Sequence, residues 1–252
     1  MQVPLKGFWP TTGVFTLVVG LFNPLSVCGQ PVDGPSALIE EFENISTLES
    51  GWVEVISGDF DTAIIEVTNS PAEGKLRLGV STLETDPRTV KLIGVRSLEP
   101  VKLKKPYQVS WALDWNDQSN GSYLSAGVLI SPHATRTKPT TESDWLQVSY
   151  VGVPPGVNAR LEITGRVSGQ RKTFYTEGWP AENRAGRKIG LQHLDLQVSD
   201  SGLELKENGK FVFRTDQALP FQQVYVYLFL TSHSNYKLRD IYFERVEVKE
   251  TN

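Results

Sequence analysis

The chain has 252 residues, 39% of them hydrophobic and 21% charged, a balance that excludes a disordered, collagenous or coiled-coil protein. With 25 Lys and Arg against 29 Asp and Glu, its net charge of -4 lacks the general attraction of a basic chain for nucleic acid or anionic lipid. A single cysteine cannot close an internal disulfide or build a cysteine zinc site, so disulfide scaffolds and zinc fingers are excluded as well.

Residues 1–29 carry one charged side chain, Lys6, ahead of the apolar run from Gly13 to Phe22. That run is short for a bilayer span and is followed by Asn23-Pro24, so it reads as a secretory signal peptide, not as a transmembrane anchor. Val27-Cys28-Gly29 before Gln30 places small residues around a cleavage site. Cys28 then has two readings. It is either discarded with the leader or, as in a bacterial lipobox, becomes the lipidated first residue; Val27 stands where that pattern has Gly, Ala or Ser, which favours simple cleavage. Either way the protein is expected to be secreted, extracellular or periplasmic, with a lipoprotein held through Cys28 as the alternative.

After a short segment at 30–39, residues 40–252 read as one domain. Ser36–Phe42 alone has a helical period, too brief to stand as a helix. From there on the dominant period is two, the spacing of one face of a strand. Apolar residues alternate in Val109-Trp111-Leu113, Leu124-Ala126-Val128-Ile130, Leu146-Val148-Tyr150, Leu194-Leu196-Val198 and Val224-Val226-Leu228-Leu230. Strands that bury one face and expose the other belong to antiparallel sheets. Asn208-Gly209, between Leu203-Glu204-Leu205 and Phe211-Val212-Phe213, predicts a hairpin with two positive-φ residues at its turn. Breaks at Ser70-Pro71, Pro154-Pro155-Gly156 and Asp200-Ser201-Gly202 separate other strands, and no linker or repeat divides the chain. The expectation is one all-β, two-sheet antiparallel sandwich.

Several of these strands carry a family likeness. Gly51-Trp52-Val53, Gly74-Lys75-Leu76-Arg77-Leu78, Tyr107-Gln108-Val109-Ser110-Trp111, Val224 to Leu228 and Ile241 to Val246 resemble the concanavalin A-like lectin/glucanase superfamily over roughly residues 40–249. The resemblance implies a jelly roll of two curved antiparallel sheets, with polysaccharide bound or cleaved on the concave one. Glucanases of that superfamily carry Glu-x-Asp-x-Glu on one strand, which puts three carboxylates on one face beside the glycosidic bond. No such run exists here; Glu84-Thr85-Asp86-Pro87-Arg88 lacks the third carboxylate. Serine-hydrolase elbows, phosphate loops and metal-binding His-Glu-x-x-His are also missing, and His133, His193 and His233 are far apart.

Binding features remain. Sugar rings stack their C-H faces on aromatic planes while their hydroxyls seek polar partners. Tyr225, Tyr227 and Phe229 lie on the face opposite the aliphatics of their strand, and Trp145 is in phase with Gln147 and Ser149, so Trp145, Tyr225 and Tyr227 are candidate platform residues; the alternative is packing under a loop. Trp111, in phase with Val109 and Leu113, is assigned to the core. His193 and Asp195 share a strand face and form a candidate polar pair, against the alternative of a solvated face. Asp114 to Asn120 crowds oxygen donors into one loop and is a candidate calcium site, although the same residues are ordinary in turns. Two basic stretches, 88–105 and 166–188, could attract an anionic glycan, but read first as solvated faces and, at Lys102-Leu103-Lys104, as an edge strand. The expected function is non-catalytic binding of an extracellular polysaccharide or glycan. Its alternatives are a glycoside hydrolase or polysaccharide lyase with an unusual catalytic set, and an interaction domain with no sugar site.

Overall fold

In the computed structural model the described residues are 36–43, 45–68, 74–82, 90–114, 124–151, 160–177, 190–232 and 236–251, all within the unit Asp33–Asn252. Residues 1–29, where a leader is expected, with Cys28 among them, and the greater part of the Asp114–Asn120 loop lie outside them. The first part of the chain forms β1 (Ser36–Glu40), α1 (Ile45–Gly51), β2 (Trp52–Ser57), β3 (Thr62–Thr68), β4 (Lys75–Thr82), β5 (Lys91–Ser97) and the two-residue β6 (Val101–Lys102). Then follow β7 (Tyr107–Asp114), β8 (Ser125–Ser131), a single 3-10 turn (Pro139–Thr141), β9 (Trp145–Val151), β10 (Arg160–Val167) and β11 (Gln170–Thr176). The last five strands are β12 (Leu191–Ser199), β13 (Gly202–Glu207), β14 (Lys210–Thr215), β15 (Gln223–Ser232) and β16 (Tyr236–Glu250).

These strands form two antiparallel sheets. The first runs β14-β13-β12-β7-β16-β4-β3, and the second β11-β10-β9-β8-β15-β5-β2. Strand β16 is long enough to hold β4 with its first half and β1 with its second, on the same side. The segment with the brief helical period is therefore a strand over Ser36–Glu40, held by pairing with β16; the short helix lies beyond it, at Ile45–Gly51. Pairing with a partner strand outweighs the local period, which alone is too short to nucleate a helix. Glu40 fixes the corner between them by accepting hydrogen bonds from the Phe42 amide (2.7 Å) and the Trp52 indole (3.3 Å).

The core between the sheets is built by the period-two residues. From the first sheet it takes Leu76, Leu78, Val109, Trp111, Leu113, Leu194, Leu196 and Val198; from the second, Ile93, Val95, Val128, Ile130, Leu146, Val148, Val226 and Leu228. Trp111 is 3% exposed, as its phase with Val109 and Leu113 requires. In β16 the inward positions change from Ile241 and Phe243 to Val246 and Val248. A bulge between Phe243 and Arg245 causes the change, because one extra residue reverses the alternation for the rest of the strand.

Two turns confirm local chemistry. Asn208 (φ 50°) and Gly209 (φ 73°) close the β13–β14 hairpin as the sequence predicts, and Ser168 (φ 52°) and Gly169 (φ 78°) do the same between β10 and β11. The basic stretch from 88 to 105 is less solvated than expected. Lys91 and Arg96 are 5% and 9% exposed, with Lys91 Nζ donating to the Asp59 carbonyl and Arg96 donating to the carbonyls of Thr135, Ser97 and Leu98. Neighbouring loops and strand ends supply the acceptors that make burial of these heads tolerable. Lys102 and Lys104 are exposed on either side of buried Leu103, as an edge segment predicts.

Candidate functional site

The sequence candidates separate onto two outer faces. His193 and Asp195 lie on β12, in the first sheet, whereas Trp145, Tyr225 and Tyr227 lie on β9 and β15, in the second. Across the first sheet's outer face several polar groups pair with one another. Asp195 accepts hydrogen bonds from Ser110 (2.7 Å) and Gln108 (2.8 Å) of β7, and Arg77 bridges Glu66 (2.7 Å) and Asp240 (2.9 Å), which together hold its guanidinium even more firmly protonated than usual. The His193 backbone amide donates to the Asn208 side chain at 2.9 Å, and the ring is exposed. Of these groups, Arg77 Nε and Asp240 Oδ1 are buried without a hydrogen-bond partner among the described residues.

The second sheet differs because its outer face carries a small apolar cluster of its own. Val55, Leu92, Leu129, Trp145, Tyr227 and Phe229 pack there, with half-buried Tyr225 against them. Phe229 fits between glycines on both flanking strands, Gly94 of β5 and Gly127 of β8. The segment between β8 and β9 folds over the cluster. Tyr227 anchors it by donating to the His133 carbonyl (2.6 Å) and accepting from the Thr135 amide (2.9 Å), and burial, the largest influence, pushes this phenol above its ordinary pKa and keeps it a donor. Arg166 of β10 holds the far end through the carbonyls of Thr141 and Glu142, both at 3.2 Å. Tyr227 and Phe229 are 1% exposed and Trp145 3%, so these rings pack under a loop, while Tyr225 lies beneath the Arg96 guanidinium at 5.2 Å.

Beside this covered cluster a cleft of about 750 Å³ opens on β8, β9, β10 and the 3-10 turn. Its volume is that of a small-molecule site. Gln147, Thr164, Arg160 and Glu162 line it, the last two joined by an ion pair of 2.5 Å. Several hydrogen-bonding atoms in its lining residues are buried. Two of them, Ser125 Oγ and Trp145 Nε1, belong to residues less than 9% exposed and have no hydrogen-bond partner among the described residues. Buried polar groups are nearly always satisfied, so unpartnered ones gathered in one hollow point to a missing partner. A larger hollow of about 930 Å³, between β6 and the turn at Pro220, contains no such atom.

Similarity to solved structures fixes the architecture. The T. cruzi calreticulin globular domain superposes with a TM-score of 0.57 at 13% identity, over 86% of this chain and 89% of its own. The Bacillus licheniformis β-glucanase gives 0.55 at 11%, over 88% and 100%, and the Emp46p carbohydrate recognition domain, in its potassium-bound form, 0.55 at 9%, over 84% and 95%. The chain has the concanavalin A-like lectin/glucanase fold. In that jelly roll the neighbours include both a carbohydrate recognition domain and a glycoside hydrolase. No family model and no curated protein sequence matches the chain.

Sequence reasoning picked out Trp145 but missed the cleft. Its other walls come from β10 and the 3-10 turn, whose residues show no shared pattern in sequence. Glu162 is the one carboxylate among the described lining residues. Among the described residues no three His, Cys, Asp or Glu side chains gather as a metal site would require, and no helix is long and apolar enough to cross a membrane. Asp114 is the one residue of the calcium candidate that is described, apart from which that loop lies outside the described residues.

Proposed function

We propose that this jelly roll is a secreted carbohydrate-binding module whose glycan lies in the cleft on the outer face of the second sheet. The observation that carries the reading is the pair of buried, unpartnered groups there, the Trp145 indole N-H and the Ser125 hydroxyl, beside Gln147 and Thr164. Sugar hydroxyls both donate and accept, so one ring can complete donors and acceptors together. The fold's likeness to a carbohydrate recognition domain and a β-glucanase supports the same class of ligand. Binding, not hydrolysis, is the favoured form: the lining carboxylate Glu162 is engaged by Arg160, whereas acid-base cleavage uses two carboxylates flanking one bond.

The test is a glycan array probed with the full chain, together with Thr164→Val and Gln147→Leu. Retention on at least one glycan class, weakened about tenfold in either variant, is the expected result, since an unpaired polar contact costs about one factor of ten. A folded protein that retains no glycan ends this reading. It would favour the second one, an interaction domain without a sugar site, which the loop covering Tyr227 and Phe229 supports. Two further proposals concern regions beyond the described residues. Mass spectrometry of the mature N-terminus separates cleavage before Gln30 from lipidation of Cys28, and calcium titration followed by calorimetry tests the Asp114–Asn120 loop.

A further inference from the structure

The charge of the cleft is opposite to that of the molecule. On a chain of net charge -4, the described residues lining this hollow include Lys138, Arg160, Arg166 and Arg171 against the single carboxylate Glu162, which is engaged by Arg160. Among the described residues no carboxylate pairs with Lys138, Arg166 or Arg171.

Their arrangement is unfavourable for the fold alone. Arg166 and Arg171 are direct cross-strand partners on β10 and β11, where like charges repel. On its other side Arg166 is directly opposite Trp145 of β9. Arg166 Nε and Trp145 Nε1 are both buried, both donors, and both without an acceptor among the described residues. Although Arg166 Nη1 donates to the Thr141 and Glu142 carbonyls, the unused Arg166 Nε-H and Trp145 indole N-H, on cross-strand partners, and the second cation Arg171 leave donors and positive charge in excess of acceptors among the described residues. A planar or tetrahedral oxyanion supplies acceptor oxygens and negative charge together, and arginine binds such groups through paired hydrogen bonds.

The geometry points to an acidic saccharide as the ligand, its carboxylate or sulfate seated between Arg166, Arg171 and the Trp145 indole and its neutral hydroxyls toward Gln147, Thr164 and Ser125. This deepens the carbohydrate reading above and rests on it. The basic stretch from 166 is then divided in role: Arg166 and Arg171 serve the cleft, whereas Lys172 turns away, donating to Gln217 and lying over the Phe174 ring at 5.2 Å.

Affinity electrophoresis of the full chain on polygalacturonate, dextran sulfate, unsubstituted dextran and polyglutamate tests the assignment, beside the neutral glycans of the array. Retention by polygalacturonate or dextran sulfate, at least about tenfold stronger than by any neutral glycan and falling as NaCl is raised, is the expected result, because exposed charge pairs are screened over about 8 Å at physiological salt. Retention by the first polymer alone identifies a uronate, by the second alone a sulfate ester. Arg171→Gln and Lys138→Gln change side chains outside the core and should each weaken retention severalfold; Lys210→Gln, on the first sheet, should not. Arg166→Gln should weaken it most, and a thermal melt separates this from loosening of the loop it holds.

Equal retention of neutral and acidic glycans, or no effect of Arg171→Gln and Lys138→Gln, overturns the acidic assignment while the carbohydrate reading stands. Equal retention of polyglutamate also overturns it, in favour of an acidic polypeptide. Failure to retain any glycan removes both together.

Discussion

Tyr107 is 1% exposed, and its hydroxyl has no hydrogen-bond partner among the described residues, so the core holds a polar group that gains nothing from them. Removing the oxygen while keeping the ring should stabilise the protein by about 1 kcal/mol, because the desolvation cost of a lone hydroxyl disappears with it. Urea unfolding of Tyr107→Phe at pH 8 measures this. Burial also pushes the Tyr107 phenol well above its ordinary pKa. The sign of the pH effect follows. In the unfolded chain the phenol loses its proton near pH 10, whereas the folded chain keeps it, so above that pH the folded state binds more protons and stability falls as pH rises. The contribution is complete below about pH 10, and the loss is at most about 1.4 kcal/mol per pH unit for one phenol. Urea midpoints from pH 8 to 11 should decline more steeply in the parent than in Tyr107→Phe. Tyr227 gives the opposite result on substitution. Its hydroxyl is doubly bonded to the loop over the second sheet, so Tyr227→Phe should cost about 1–3 kcal/mol and speed amide exchange at Thr135.

At the scale of the element, the strands legible in sequence are those whose two faces meet different surroundings. The runs Val109-Trp111-Leu113, Leu146-Val148-Tyr150 and Leu194-Leu196-Val198 became β7, β9 and β12 with their apolar residues in the core, and Asn208-Gly209 became the turn it signals. Strand β5 was harder to read because all seven of its residues are buried, which erases alternation, and β1 depends on a partner more than 200 residues away. The cover over Tyr227 is a tertiary fact with no local signature. The second sheet's outer face depends on its glycines as well. A Cβ on Gly127 would come within 2.1 Å of the Val148 carbonyl, and on Gly94 within 2.1 Å of the Leu228 carbonyl, both of them backbone atoms of a neighbouring strand. Neither carbonyl can withdraw without opening its ladder. Gly127→Ala should therefore cost about 3 kcal/mol or more, whereas Gly165→Ala, whose nearest obstacle is at 2.8 Å, should cost less; chemical unfolding of the two side by side checks the order.

For the whole molecule, the order of strands in the chain and in the sheets has a consequence for folding. The last two strands are central in both sheets: β15 joins β8 to β5 in the second, and β16 joins β7 to β4 in the first. Until β16 arrives, the first sheet is two separate pieces, β14-β13-β12-β7 and β4-β3, each with an unpaired edge. The core residues Ile241, Phe243, Val246 and Val248 are missing as well. Pairings between distant segments make folding slow, since loop closure must precede their reward. A chain ending at Ser232 retains every strand of the second sheet and loses β16 from the first, and so tests whether a core forms against a first sheet split in two. Sheets of this kind bury one face only against a partner, and unpaired edges invite association between chains. The truncated chain should show no cooperative thermal transition and should aggregate, whereas the full chain unfolds in one step. A cooperative melt of the truncated chain, monomeric by light scattering, would instead mean that the second sheet with the first sheet's remaining strands suffices for a core.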